Sequence, residues 1–510
     1  MPMSRPASIF ASRDESHASI STYQAFLLIL AVTIVSYGYN LTNFTLNIDG
    51  EIADNILHTI SLGRWGHAFL HAYLLPEPYL PYFTDLVGLI ALALAALLAA
   101  KTIGFTGVMT VVFGALMVSF PQLAYQLQFT NQADTYPIGL LLAVLSAYFY
   151  IRFAFGTPQR WRTRYPTLLL SIVSATLALS IYQTLIVVSP LVVLGFLLVR
   201  SQSEGARPGR DMMLLVGYAA ALVVSLVVYF LTAKAAQGLA GSGSQASYLL
   251  AHASEFETLS DSLLLSLTFF GELLQGTSFY GLGAFPIAVV AVALIIGLRI
   301  GARWQDPVWA TALLSMMFLV PLTMILATQG SLPPRALSFM PVLFATMIAV
   351  AVKPFKIQWV VAGALFVVLS NIAMITNLFY SDHLVRQADI QMGKQIQSII
   401  DNQFPGYAGS ETTRVFWGAY GGNESRRLPE SDIFGTSFFN YGGGNNHRIF
   451  LFLQHAVPIA QYQRATSADV ERVRGGIADM PTWPDPRAVA VVDGIVVIKL
   501  QDDPEWSMKF

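Results

Sequence analysis

An α-helical polytopic membrane domain followed by a small α+β domain is the fold class this sequence predicts, and three observations predict it. Hydrophobic residues make up 55% of the chain and charged residues only 12%, a balance that belongs to multi-pass membrane proteins and not to ordinary soluble domains. Apolar runs recur from residue 24 to residue 379, each close to the ~20 residues needed to cross the hydrocarbon core. After Tyr380 no such run occurs and mixed charges return.

The spans read, in order, as 24–41, 84–100, 106–125, 138–155, 167–182, 183–199, 212–233, 280–298, 307–328, 337–352 and 358–379, eleven in all. The run 167–199 is too long for one crossing and divides at Tyr182-Gln183. Residues 1–23 are polar, without the short apolar core and small-residue cleavage site of a secretory leader, so the first span reads as a retained anchor. Beyond Tyr380, HLVRQADIQMGKQIQSIIDNQF has apolar residues at helical spacing and continues the last span as a helix. TRVFWGAY and RIFLFLQ read as strand or strand-helix material. AVAVVDGIVVIKL reads as a hairpin, two β-rich arms around Asp493-Gly494. GLAGSGSQAS (238–247) reads as a flexible loop.

The loops orient the chain. Arg5, Arg13, Lys101, Arg152, Arg160, Arg162, Arg164, Arg200, Arg207, Arg210, Arg299, Arg303, Lys353 and Lys356 fall on one side, against Arg64, Lys234 and Arg335 on the other. Positive loops mark the cytoplasmic side. The N-terminus is therefore expected inside and the C-terminus outside. The organisation is a cytoplasmic segment 1–23, a membrane domain 24–380 with a long first outer loop 42–83, and an extracytoplasmic α+β domain 381–510. The formal net charge of −1 gives no bulk attraction for nucleic acid. The absence of cysteine excludes disulfides, zinc-thiolate sites and a thiol nucleophile.

Chemistry-bearing residues gather on the outer side. Loop acids are concentrated there: Asp49, Glu51, Asp54, Glu77, Asp85, Asp134, Glu255, Glu257, Asp261 and Glu272. Asp49 and Glu51 stand just outside the first span, where a carboxylate can act as general base on a substrate held at the lipid surface; solvated loop acids are the plainer alternative. The first outer loop is too long for a connector. EIADNILHTISL and GRWGHAFLHAYLL read as two helices on the membrane surface, the second ending at PEPYLP. Arg64 suits a phosphate, to which its planar fork donates two hydrogen bonds, or it snorkels at the interface. Gln126, Asn131, Asp134, Tyr182, Gln183 and Arg335 lie at the same depth and are candidates for binding substrate; helix caps and turn chemistry are the competing reading. No Walker loop, GxSxG elbow or HExxH occurs. His67 and His71 are four apart, but no third zinc ligand is evident.

An N-terminal span, Asp49-Gly50-Glu51 in a long outer loop, Gly63-Arg64-Trp65 soon after, Tyr182-Gln183 between two central spans and a late outer Arg335 together resemble the bacterial serotype-converting O-antigen glucosyltransferase family. The ending MPTWPDPRAVAVVDGIVVIKL is similar to that family's C-terminal end. Many members carry two adjacent acids, whereas here Gly50 separates them. The resemblance implies a GT-C membrane glycosyltransferase of the bacterial inner membrane, with its C-terminal domain periplasmic. It would move a sugar from a polyprenyl-phosphate donor to an O-antigen or other surface glycan. It points to Asp49 or Glu51 as catalytic base, Arg64 or Arg335 for the donor phosphate, and Trp65, Tyr182 and Gln183 for substrate, to which Asp134 is added from its place in the second outer loop. No cofactor is implied; Asp49 and Glu51 could hold Mg²⁺ or Ca²⁺, but a free carboxylate base is the expectation. The alternatives are a transporter or flippase of lipid-linked saccharide, against which the lack of an internal repeat counts, and a structural protein with the tail as binding module.

Overall fold

The computed structural model describes residues 20–52, 55–76, 80–155, 161–204, 207–242, 259–301, 305–328, 332–457 and 461–502. The segment before Ile20, Asp54, Glu77, Glu255, Glu257, Arg160, Arg303 and residues 243–247 of the Gly/Ser-rich stretch lie outside these, as do the side chains of Arg162 and Arg164.

Among the described residues, eight helices are long and apolar enough to cross a membrane: Thr22–Thr42, Phe83–Ile103, Thr135–Phe155, Gln183–Gln202, Pro208–Ala240, Leu282–Ile300, Pro307–Ala327 and Ile357–Gln403. Three further apolar helices, Val108–Val118, Tyr165–Ile181 and Met340–Val352, are shorter and sit at the remaining places where the sequence predicts spans. Local chemistry sets the ends. Ser21 and Gln24 form a capping box at the first helix, and Gly104 ends the second in the left-handed conformation that costs glycine least. Large apolar side chains point away from the bundle, among them Met213, Leu231, Trp359 and Phe366. Water would not tolerate so continuous an apolar surface; lipid does.

Two elements differ from the sequence reading. Residues Leu259–Gln275 form a helix, where Asp261 and Glu272 read as loop acids. The run is too short and too acidic at its ends to register as a span, yet it exposes Leu264 and Leu267 and buries Ser262 and Ser266. The helix Pro208–Ala240 also runs through the start of the predicted 238–247 loop before Gly241 caps it. Its extra length has a use: Gln237 donates to the carbonyls of Ile60 and Ser61 in the first loop. That loop carries the helices Ile56–Ser61 and Trp65–Tyr73, as its spacing predicts.

The last helix, Ile357–Gln403, is one continuous element of 47 residues. At ~1.5 Å per residue it extends well past a bilayer core and forms one wall of the C-terminal α+β region. There the strands β1 (Thr413–Trp417), β2 (Gln463–Arg464), β3 (Val489–Val492) and β4 (Ile495–Lys499) make a sheet in the order β2-β1-β4-β3. β1 runs parallel to β2 and β4, and β3–β4 is the antiparallel hairpin turned at Asp493-Gly494. RIFLFLQ lies in a helix, Asn446–Ala456, started by the Asn445 side chain on the Arg448 N–H.

The two parts share residues. Leu46 and Ile48, from the loop after the first span, are buried in the C-terminal core with Met392, Ile396, Ile449 and Phe452; each such burial contributes about 1.5–3 kcal/mol. Reciprocally, Phe434 of the C-terminal region lies in the membrane-domain core, edge-on to Tyr125 and Phe379 at 5.4 and 5.2 Å. The Tyr280 N–H donates to the Glu430 carbonyl across the same seam.

Candidate active site

The seam between the two parts holds the first charged cluster. Asn47 to Gly50 form a tight turn, closed by the Gly50 N–H on the Asn47 carbonyl at 2.9 Å. Asp49 sits in it at φ 76°, a left-handed conformation that Asp and Asn tolerate better than other side chains. Gly50 keeps the turn close-packed: a Cβ there would lie 2.9 Å from the Asn47 side-chain oxygen and 3.2 Å from Thr130 Oγ1, so both would have to move. The turn is thus pressed against the 119–134 loop on one side and anchored by Leu46 and Ile48 on the other.

Both acids meet one cation. Arg448 Nη2 donates to Asp49 Oδ1 at 2.8 Å, and Nη1 donates to Glu51 Oε1 at 2.5 Å. The Glu51 side chain is 0% exposed and that of Asp49 39%, so only Asp49 is open to an incoming group. Burial raises the Glu51 carboxyl above its ordinary value, against the opposing pull of Arg448. The Arg448 guanidinium also lies over the Tyr441 ring, 5.0 Å from its centre.

Arg335 belongs to this cluster. Its guanidinium rests on the Phe129 ring at 4.9 Å and is 3.5 Å from the Asp432 carboxylate. Asp432 is raised by burial, lowered by Arg335 and Arg427, and raised again by Asp49. Tyr441 likewise feels Asp49, Arg448, Arg335 and Asp432. Asp49, Glu51 and Arg335 therefore come together although they are far apart in the chain. In the acid-bearing turn and in residues 126–131, buried polar atoms have no hydrogen-bond partner among the described residues: Asn47 Oδ1, Glu51 Oε2, Gln126 Oε1, both Gln128 side-chain atoms, Thr130 Oγ1 and Asn131 Oδ1. Polar groups in such surroundings demand partners, and sugar hydroxyls supply both donors and acceptors.

The other predicted residues form a second group. Arg64 Nε donates to Gln183 Oε1 at 3.4 Å, and its guanidinium covers the Tyr182 ring at 4.6 Å. Gln183 Nε2 donates to the Leu62 carbonyl and to the Tyr229 hydroxyl. Trp65 packs beside Tyr229, and its buried indole N–H has no partner among the described residues. Asp134 is fully buried, 3.3 Å from His71 Nε2. His67 contacts Thr135 Oγ1 at 2.8 Å and is lowered to about 3, by burial first and then by His71 and Arg64, which keeps it neutral at physiological pH. Among the described residues no group of three metal-ligating side chains forms. The Tyr136 ring stands edge-on to Tyr182 at 5.6 Å, and Ser338, three residues after Arg335, shares a hydrogen bond with Thr184, next to Gln183. Arg64 and Arg335 thus sit in different groups, with Arg335 beside the acids.

Arg448 and Asp432 were not legible as site residues. Asn445 followed by Ile449, Phe452, Leu453 and Ala456 is a capped amphipathic helix pattern, which places Arg448 in its first turn. No local signal shows that it faces Asp49.

The family described as Glucosyl transferase GtrII matches residues 38–355, more than half of the chain and including both groups except the C-terminal partners. No match is found among curated proteins or among solved structures.

Proposed function

The chain belongs to the glucosyl transferase GtrII family, and from that premise we propose that this membrane glycosyltransferase moves a hexosyl group from a polyprenyl phosphate to a surface glycan outside the bacterial cytoplasmic membrane. The observation that carries the reading is the meeting of an accessible carboxylate, Asp49, with a cation, Arg335, around Asp432 and Tyr441. Transfer of this kind needs one of each. The acceptor hydroxyl gives its proton to Asp49 as its oxygen attacks the anomeric carbon. The bond from that carbon to the phosphate oxygen breaks, and the electron pair leaves on the lipid phosphate, whose growing negative charge Arg335 stabilises. The fork of Arg335 suits two phosphate oxygens. The unpartnered side-chain oxygens of Gln126 and Asn131 and the Gln128 amide would take sugar hydroxyls. The second group, with Arg64, Trp65, Asp134, Tyr182 and Gln183, would line the path of the other substrate.

A lipid monophosphate carries less charge than a nucleotide diphosphate, so arginine suffices to balance the leaving group and the reaction runs without a divalent metal. The basic loops put the opposite ends of the helices in the cytoplasm. The test is transfer from purified polyprenyl-phosphate glucose by the detergent-solubilised chain in excess EDTA, with mass spectrometry of the surface polysaccharide with and without the gene. Transfer in EDTA is expected. Loss restored by Mg²⁺ would recast Asp49 and Glu51 as metal ligands, and an unaltered polysaccharide would sink the reaction itself.

A further inference from the structure

We infer that Arg448 is a positioning residue for the transfer: brought from the C-terminal domain, its guanidinium fixes the direction and spacing of Asp49 and Glu51, so the site in the membrane domain is incomplete without that domain. The inference rests on the glycosyl-transfer reading above and adds a residue beyond the matched part of the chain, which stops at 355.

Three independent features carry it. The guanidinium spends its two terminal nitrogens on two different carboxylates, at 2.8 and 2.5 Å. Among the described residues it is the only cation in ion-pair contact with either acid. Second, two acids separated by one glycine in a turn repel each other, and a shared cation is the direct way to hold both in one geometry. Third, Arg448 is itself held. It lies in the first turn of the Asn445-capped helix, whose Ile449 and Phe452 share a core with Leu46 and Ile48, the residues leading into the acid-bearing turn. The helix and the turn are thus held together by apolar packing as well as by the ion pairs. Both of its terminal nitrogens already serve the acids, which separates the role of Arg448 from that of Arg335.

The charged and titratable groups facing the pair are Arg448 itself, Tyr441, Asp432, Arg335 and, behind the guanidinium, His447. Of the influences on Glu51, Arg448 is the strongest that favours its ionised form. Removing it leaves burial less opposed on the Glu51 carboxyl, which rises further.

The experiment compares the purified full chain with Arg448→Ala and Arg448→Lys, using polyprenyl-phosphate glucose as donor. In Arg448→Ala, kcat falls about 100-fold, the usual cost of an ångström-scale misplacement, while KM for the donor stays within about twofold, since no donor contact is lost. Added guanidinium ion restores part of the rate. Arg448→Lys keeps the charge but not the fork, and falls between. A raised donor KM with unchanged kcat would make Arg448 a phosphate ligand and overturn the inference, as would near-normal turnover in Arg448→Ala. If Arg448→Ala does not survive purification, Arg448→Lys decides: full turnover in that variant refutes the role. An inactive wild type would instead indict the glycosyl-transfer reading.

Discussion

Asp49→Asn is the perturbation that bears most directly on the chemistry. Asn tolerates φ 76° as Asp does, and its side-chain oxygen can still accept from Arg448, so the turn should keep its shape. What disappears is basicity. Loss of a positioned general base lowers the rate about 10²–10⁴-fold, or roughly 3–5 kcal/mol in the barrier. The cost in stability is small by comparison. The Asp49 carboxylate is 39% exposed, and an ion pair so open to solvent is worth under about 1 kcal/mol. The expected result is normal protein level, an unchanged melting curve and at least a hundredfold loss of transfer, measured on membranes with labelled donor lipid. Glu51→Gln is the paired control. Its side chain is fully buried on Arg448, but the amide oxygen can still accept from the guanidinium, which also keeps Asp49. That variant should keep its protein level and most of its activity. Near-normal transfer by Asp49→Asn with a folded but inactive Glu51→Gln would make Glu51 the base and refute the argument from exposure. If both variants transfer normally, the reacting centre lies elsewhere, with Asp134 the next candidate.

Arg335→Lys keeps the charge and loses the planar fork; activity should fall most at low donor concentration, and a loss of turnover with unchanged donor dependence would remove Arg335 from the phosphate site. Glu51 supplies a pH signature. Its folded carboxyl is raised by burial, so its contribution to stability is present below the unfolded value of about 4.3 and is lost as pH rises through the folded value. Glu51→Gln lacks this term; its melting temperature relative to wild type should therefore improve between pH 4 and pH 7, and a gap that widens over that range would contradict the assignment. A C-terminal phosphatase fusion should be active and a C-terminal cytoplasmic fluorescent reporter dark; the reverse would remove the acids and the C-terminal domain from the outer side.

What the sequence revealed and what it hid divide along physical lines. Hydropathy is additive along the chain, so a helix stands at each predicted span, and the break at Tyr182-Gln183 falls where the Trp161–Ile181 helix gives way to a 3₁₀ turn. The Asp493-Gly494 hairpin and the long continuation of the last helix were equally local. The helix at Leu259–Gln275 escaped because its polar face is made of small serines and its ends carry acids, which together imitate a loop. Charge pairing is not local at all. Asp49 and Arg448 stand 399 positions apart, and nothing near Arg448 distinguishes it from any surface arginine on a capped helix. Arg64 and Arg335 looked interchangeable, since both are rare cations on one face; only tertiary packing shows Arg64 turned to Tyr182 and Arg335 turned to Asp432. Gly50 is the instructive intermediate. As a sequence feature it is a departure from adjacent acids, and by itself it weakens the resemblance. In the fold it lets the turn press against Thr130, splaying Asp49 toward solvent and Glu51 into the protein. That single glycine gives two chemically equal carboxylates unequal surroundings. One stays open to an incoming hydroxyl, and the other is committed to holding the arginine that orients them both.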